Sequence, residues 1–457
     1  MTASIQLGRQ WWASWQARSM NRQVFAAMVT VGCMTVLVKL VTVLKDVVLA
    51  HQFGTGDALD AVLIAFVLPQ FVSSLIGGSL NVALIPTYIR ARQGEGPEAS
   101  QRLFSSIMIV TTACLVASSL VLALAAPAIL PVLASGFLAD KLALAESLYY
   151  ILLGTVVLNG VGVTWGAVLN AGNRFALVAV APVITPAIMV AAILVAPTAW
   201  GGYALAGGAV GGALIETALL GWGLSREGVS LIPRWSGSSP AVKQVLEQYV
   251  PMVAGAVLMG STTVVSQSLS AMLDSGSVSA LSYGSKVTNL LVGVVALAVS
   301  TAVLPYFSDM VAREDWKGIR HTLMTYSRLL LMVTLMITAT LMYYSETIIT
   351  LLFRRGAFTE ADVQLVSHVQ VMYLLQVPPY VLSMLFVRLI SALKANHLLL
   401  WGAGGNLIVC IASSYLLMKG YGVMGIAMAT SLMHFVSLAF LFIMSIQLLR
   451  GKEHRHG

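Results

Sequence analysis

Leu84-Ile85-Pro86-Thr87-Tyr88 ends an apolar stretch that opens with an acidic turn after Gly56 and runs out into a basic loop at Arg92. About 220 residues further on the plan returns: a second apolar stretch opens at Gly276, passes through Val303-Leu304-Pro305-Tyr306-Phe307 and reaches Arg313. Leu169-Asn170-Ala171-Gly172-Asn173-Arg174-Phe175 is answered in the same way by Ser391-Ala392-Leu393-Lys394-Ala395-Asn396-His397, each at the exit of a long apolar segment. A duplication of this length predicts two pseudo-symmetric helix bundles facing each other across a central site, the arrangement of alternating-access transporters.

The residues between these landmarks belong in a bilayer. The chain has 457 residues, 58% of them hydrophobic and 10% charged, with a mean hydropathy of +0.87, and many runs exceed the roughly 18 apolar residues needed to span. Helices are the expected element, because an open strand edge in lipid would leave its backbone groups without partners. The fold class is therefore all-α integral membrane, with about twelve transmembrane helices in two six-helix bundles between Val24 and Leu449. The chain divides into an interfacial segment over 1–23, an N-terminal six-helix lobe over 24–224, a cytoplasmic linker over 225–242, a C-terminal six-helix lobe over 243–449 and a cytoplasmic tail over 450–457. The first segment carries Trp11, Trp12 and Trp15 with Arg9, Arg18 and Arg22, and Trp11 and Trp15 share a helical face, the pattern of a short amphipathic helix in the headgroup layer.

Basic residues set the orientation. With the N-terminus inside, Arg90, Arg92, Arg174, Arg226, Lys243, Arg313, Lys317, Arg320, Lys394 and Arg450 fall on the cytoplasmic side, against Lys141, Arg354, Arg355 and Lys419 outside. The positive-inside rule then places both termini in the cytoplasm of a multi-pass protein of the bacterial cytoplasmic (inner) membrane. The net charge of +8 is spread singly over many loops, which fits anionic headgroups and excludes a nucleic-acid partner. Cys33, Cys114 and Cys410 have no ligand-like spacing and read as buried small hydrophobes, so no metal site is expected.

Lys39, Lys45, Lys286 and Arg388 remain inside the expected spans. A cation at the middle of a membrane helix costs about 2.5–3.5 kcal/mol on insertion scales, so it needs a wet cavity or an anion. Lys39, Lys45 and Lys286 would converge on one electropositive chamber if the first and eighth helices face each other, and such a chamber selects an anion. Local pairing with Asp46 or Asp60 is the alternative for Lys45, and snorkelling to the interface the alternative for Arg388. Glu216 is the only carboxylate deep in the expected sixth helix: it either couples a proton or sodium ion or is a protonated or hydrogen-bonded structural group. His434 reads as a satisfied polar residue. No catalytic pair and no phosphate-cradling loop is present, so neither enzyme activity nor a cofactor is expected. Pro182, Pro186, Pro251, Pro378-Pro379 and Gly77-Gly78 mark expected breaks, and Gly201-Gly202, Gly207-Gly208 and Gly211-Gly212 mark close helix packing.

Gly54-Thr55-Gly56, Asp60-Ala61, Ala65-Phe66 and Leu68-Pro69-Gln70 resemble the signature after the first helix of the MurJ (MviN) lipid flippases of the multidrug/oligosaccharidyl-lipid/polysaccharide (MOP) exporter superfamily. Leu169-Asn170, Asn173-Arg174-Phe175, Ala181-Pro182, Gly276-Ser277-Val278-Ser279, Leu304-Pro305 and Gly356-Ala357-Phe358-Thr359 follow in that family's order, so the resemblance covers essentially the whole chain. It implies a MOP/MATE-like bundle that moves a polyprenyl-diphosphate-linked saccharide from the cytoplasmic to the outer leaflet. The family's first-helix arginines fall on Lys39 and on Lys45-Asp46, its eighth-helix arginine on Lys286, and its second-helix basic pair on Ser73 and Ser74. Two further C-terminal helices have no counterpart after Arg450.

These departures favour an exopolysaccharide or other glycan repeat unit as cargo. Lipid II of peptidoglycan synthesis, or a drug/cation antiporter of the MATE type, are the alternatives. The expected substrate site is Lys39, Lys45 and Lys286, with Asp46 and Asp60 tuning the lysines and Ser73, Ser74 and Asn289 adding neutral hydrogen bonds. Glu216 is the coupling candidate, and the membrane potential is expected to bias direction. Expected partners are the lipid-linked saccharide, membrane lipids, and polymerase or glycosyltransferase machinery.

Overall fold

A computed structural model describes the backbone of residues 20–197, 200–235, 237 and 240–456. The segment carrying Trp11, Trp12 and Trp15 lies outside the described residues, as do parts of the 225–242 linker. Among the described residues all regular structure is helical: α1 Met20–Phe53, α2 Asp57–Gly94, α3 Pro97–Leu133, α4 Ala139–Ala171, α5 Phe175–Val180, α6 Ile184–Val195, α7 Gly201–Arg226, α8 Pro240–Ser270, α9 Ser277–Ala312, α10 Trp316–Tyr343, α11 Ser345–Phe353, α12 Glu360–Leu374, α13 Val377–Ala392 and α14 His397–His456. Among the described residues ten candidate spans are long and apolar enough to cross a bilayer. One of them, His397–Lys452, holds two of the expected spans, because Gly422 (φ 55, ψ −136) breaks α14 into two helices joined by almost no loop. The first expected span lies on α1.

Proline acts where its missing N–H and its ring leave the ladder weakest. Between α5 and α6, Pro182 sits in a 3₁₀ turn, Ala181–Val183. Pro378 and Pro379 open α13 after a break that follows Leu374. In contrast, α2 and α8 stay helical through Gly77-Gly78 and Pro251. The α7 glycines do what small residues allow. A Cβ on Gly212 would lie 2.6 Å from the Thr185 Cα, and one on Gly208 would lie 2.9 Å from the Ala192 Cβ, so α6 and α7 pack backbone to backbone. Cys410 is buried, but Cys33 and Cys114 are exposed; a thiol is apolar enough to face lipid, and this corrects the expectation that all three are buried.

The contacts form two compact units. One falls within Met1–Lys45, Val72–Val121 and Ile151–Pro251; its core joins Leu84, Tyr88, Phe104, Ile107, Leu169 and Leu220. The other comprises Asp46–Phe71, Leu122–Tyr150 and Met252–Gly457. In this second unit α9 packs on α12 and α13, and α13 on α10 and α14; one of its cores joins Phe307, Ile319, Leu323, Phe386 and Leu389. It thus holds the C-terminal end of α1, the N-terminal ends of α2 and α4 and the C-terminal end of α3 together with the second half of the chain.

Candidate functional site

An α-helix leaves its first four backbone N–H groups without intrahelical acceptors, and the usual remedy is an oxygen-bearing side chain at the N-cap. At the start of α9 the N-cap is Gly276, which has no side chain to offer. Asp60, on the first turn of α2, supplies the oxygens instead. Its Oδ2 accepts from Gly276 N at 2.8 Å and its Oδ1 from Ser279 N at 2.8 Å. The residue is 1% exposed, and its charge is balanced by Lys141 on α4, whose Nζ lies 2.9 Å from Oδ2. Lys141 also reaches Asp57 Oδ1 at 2.5 Å and sits over the Phe137 ring. A negative group at a helix N-terminus also meets the positive end of the helix dipole. Three helices that are far apart in sequence are thus clamped at one end by a single carboxylate.

Two glycines make the clamp tight enough to form. Gly276 adopts φ 86, and a Cβ there would stand 2.8 Å from the Thr55 carbonyl oxygen; Gly54 adopts φ 55, and a Cβ there would stand 2.5 Å from the Ala357 carbonyl oxygen. The Ala357 N–H donates to the His51 carbonyl at 2.8 Å. Asp362 forms a capping box with Thr359 at the start of α12 and accepts from the Thr55 hydroxyl. The motif segments Gly54-Thr55-Gly56, Gly276-Ser277-Val278-Ser279 and Gly356-Ala357-Phe358-Thr359 therefore meet in one place.

Deeper in the same unit, Asp46 and Lys286 form an ion pair, Oδ2 to Nζ 3.0 Å. Asp46 lies about 10 Å from the C-terminal end of α1, and Lys286 lies about 13 Å into α9, at 1.5 Å per residue. The carboxylate is 5% exposed and the lysine side chain 30% exposed. Burying a carboxylate is costly without a cationic partner, and Lys286 supplies one from a side chain that still reaches the surface.

The expected site residues distribute as follows. Asp46 and Lys286 are brought together. Asp60 serves Lys141, a different lysine from the three expected. Asn289 is exposed on the same helix as Lys286. Lys39, Lys45, Ser73 and Ser74 belong to the other compact unit; Lys39 and Ser74 are exposed, Lys45 is half-buried, and the Ser73 hydroxyl is buried with no protein hydrogen-bond partner. In that unit too, Glu216 accepts from the Thr185 hydroxyl at 2.6 Å across the α6–α7 contact. His434 meets the Tyr380 ring edge to face with centroids 5.0 Å apart. Lys141 was not read as a site residue from the sequence. Its only signal is a lysine in the first turn of a helix on the side that the charge rule leaves poor in cations.

Residues 49–456 match the family model described as lipid II flippase MurJ. A probable lipid II flippase MurJ of Rhizobium meliloti (strain 1021) is 25% identical over 425 residues, which is 90% of this chain and 79% of that one. In fold, the chain is similar to a lipid II flippase MurJ in an inward closed conformation, with a TM-score of 0.79 at 22% identity over 91% of this chain and 87% of the other. It is similar also to an inward-facing multidrug resistance MATE family transporter of the MOP superfamily, with a TM-score of 0.76 at 13% identity over 93% and 99% of the two chains. The chain belongs to the MurJ family of flippases, and it is a multi-pass transporter of the bacterial inner membrane, not an enzyme.

Proposed function

We propose that this chain carries lipid II, a polyprenyl-diphosphate-linked saccharide, from the cytoplasmic to the outer leaflet, and that Lys286, held by Asp46, receives the diphosphate. The observation that carries the reading is an ammonium paired with a buried carboxylate at membrane depth, in a chain that matches the lipid II flippase family along nearly its whole length. This replaces the expectation of an exopolysaccharide unit. That expectation rested on lysines standing where arginines were anticipated, on Ser73 and Ser74 in place of a basic pair and on two C-terminal helices without a counterpart; the family match along residues 49–456 outweighs these departures, and the loss of a bidentate fork does not remove phosphate binding, since an ammonium binds phosphate as a point charge.

The remaining cations have roles in the same scheme. Lys39 and Lys45 would attract the headgroup along α1, with Ser73, Ser74 and Asn289 offering neutral hydrogen bonds while the polyprenyl tail stays in the bilayer. Moving about two negative charges toward a positive outside releases about 2.3 kcal/mol per charge per 100 mV, so the membrane potential biases direction. The Asp60 clamp, at the ends that the charge rule assigns to the outside, must break for cargo to leave outward, so it acts as the outer gate between the two sequence halves, 24–224 and 243–449.

A cation antiporter of the MATE type would need a cavity carboxylate with capacity to spare. Asp46 and Asp60 are engaged by lysines, so that reading would have to rest on Glu216, which accepts a hydrogen bond from Thr185. The test is genetic complementation. Cells depleted of their own lipid II flippase should survive on this gene, and cells lacking an exopolysaccharide flippase should not regain their polymer. The opposite pattern would return the cargo to an exopolysaccharide unit.

A further inference from the structure

In the second unit α10, α13 and α14 line a groove of about 560 Å³. Its walls are apolar, with Leu323, Leu382 and Phe386 forming the buried floor and Phe435 and Phe442 the half-exposed rim. A lipid-facing groove filled by an ordinary acyl chain would need nothing more than these walls. This one also carries Arg320, Arg328 and Arg450, all exposed, and none has a carboxylate partner among the described residues. Lys317 and His321 continue the basic surface along the start of α10. The Ser327 hydroxyl, in the groove wall between the arginines on α10, is buried without a protein hydrogen-bond partner.

The spacing follows from helix geometry. Arg320 and Arg328 are eight residues apart, so their Cα atoms are separated by about 12 Å along α10 and by about 80° around it. Arg450 approaches from the last turns of α14. Guanidinium groups on long stems can rise from an apolar wall toward a headgroup layer, and basic pockets between helices on the cytoplasmic side fit acidic lipid headgroups. We propose that this groove is a binding site for an anionic glycerophospholipid of the cytoplasmic leaflet, with one acyl chain along Leu323, Phe386 and Phe442 and the phosphate held by Arg320 and Arg450, and with Arg328 reaching up from below. The site is separate from the proposed cargo site, and it commits to membrane phospholipid, not to the transported lipid.

The test uses the full-length protein in detergent and native mass spectrometry, titrated with phosphatidylglycerol, with phosphatidylcholine, or with a polyprenyl diphosphate. Phosphatidylglycerol should bind in preference to phosphatidylcholine. Each of Arg320→Gln, Arg328→Gln and Arg450→Gln should weaken it about fivefold, the equivalent of about 1 kcal/mol per basic residue near an anionic headgroup. The paired control Arg92→Gln/Arg234→Gln should leave it unchanged. Photoactivatable phosphatidylglycerol on the wild-type protein, which needs no variant, should cross-link within residues 320–331 and 435–450. Equal binding of the two phospholipids, an equal loss in the control, cross-links elsewhere, or displacement of the phospholipid from these residues by the polyprenyl diphosphate would each overturn the assignment.

Discussion

Asp60→Ala removes the acceptor of two buried N–H groups and one arm of Lys141 while leaving the helices intact. Gly276 N and Ser279 N each donate to it at 2.8 Å in a site 1% exposed to solvent. Leaving a buried donor without an acceptor costs about 1–3 kcal/mol, so the two together weaken the clamped state by about 2–6 kcal/mol. Lys141 adds little, because Asp57 still accepts from it. If the clamp is the outer gate, that energy is subtracted from the closed state only, and the open population rises by a factor of about 30 to 10⁴. The assay is labelling of Ala280→Cys, a fully buried position one turn into α9, by a membrane-impermeant maleimide in intact cells after Cys33, Cys114 and Cys410 are replaced. Labelling should be slow with Asp60 present and at least about 30-fold faster with Asp60→Ala. Unchanged labelling in a folded, membrane-inserted variant would refute the gate and leave Asp60 a purely structural cap.

Other substitutions separate the roles of the remaining groups. Lys286→Ala and Lys39→Ala should each abolish complementation at normal expression, whereas Lys286→Arg should retain it; growth on both alanine variants would remove the headgroup site. Gly276→Ala forces a left-handed residue to carry a Cβ 2.8 Å from a carbonyl oxygen, and should destabilise the protein by about 2 kcal/mol in a detergent melting experiment. Glu216→Gln can keep its hydrogen bond with Thr185, so flipping should persist; a complete loss at normal expression would make Glu216 a coupling carboxylate. Gly212→Leu should separate α6 from α7 and lower the yield of folded protein, with a cost of about 1–3 kcal/mol from overpacking.

The all-helical, many-span fold was legible because hydropathy leaves few choices in lipid, and the breaks at Pro182 and Pro378-Pro379 were legible because a proline removes a donor wherever it stands. At Pro251 and Gly77-Gly78 the helix assignment continues unbroken, because a membrane helix can carry proline or glycine without ending. Lys286 was visible as a cation inside a span and Asp46 as a carboxylate that tunes the lysines, but their pairing joins α1 to α9 and is a fact of packing. The clamp was the least legible part. Gly54, Gly276 and Gly356 stood out as motif letters, yet their purpose is room for backbones that approach from distant segments, and Lys141 looked like an ordinary loop lysine until Asp60 was seen to lie beside it.

The central claim, that this chain carries a lipid-linked diphosphate through a lysine-based site, is tested most directly by reconstitution. Purified protein is placed in vesicles with fluorescent lipid II in both leaflets, and arrival at the accessible leaflet is followed by a headgroup-specific reagent under an imposed potential. The wild type should move lipid II faster than empty vesicles, faster still when the receiving side is positive, and Lys286→Ala should fall to the empty-vesicle rate. Movement by Lys286→Ala at the wild-type rate, or none by a folded wild type, would contradict the account.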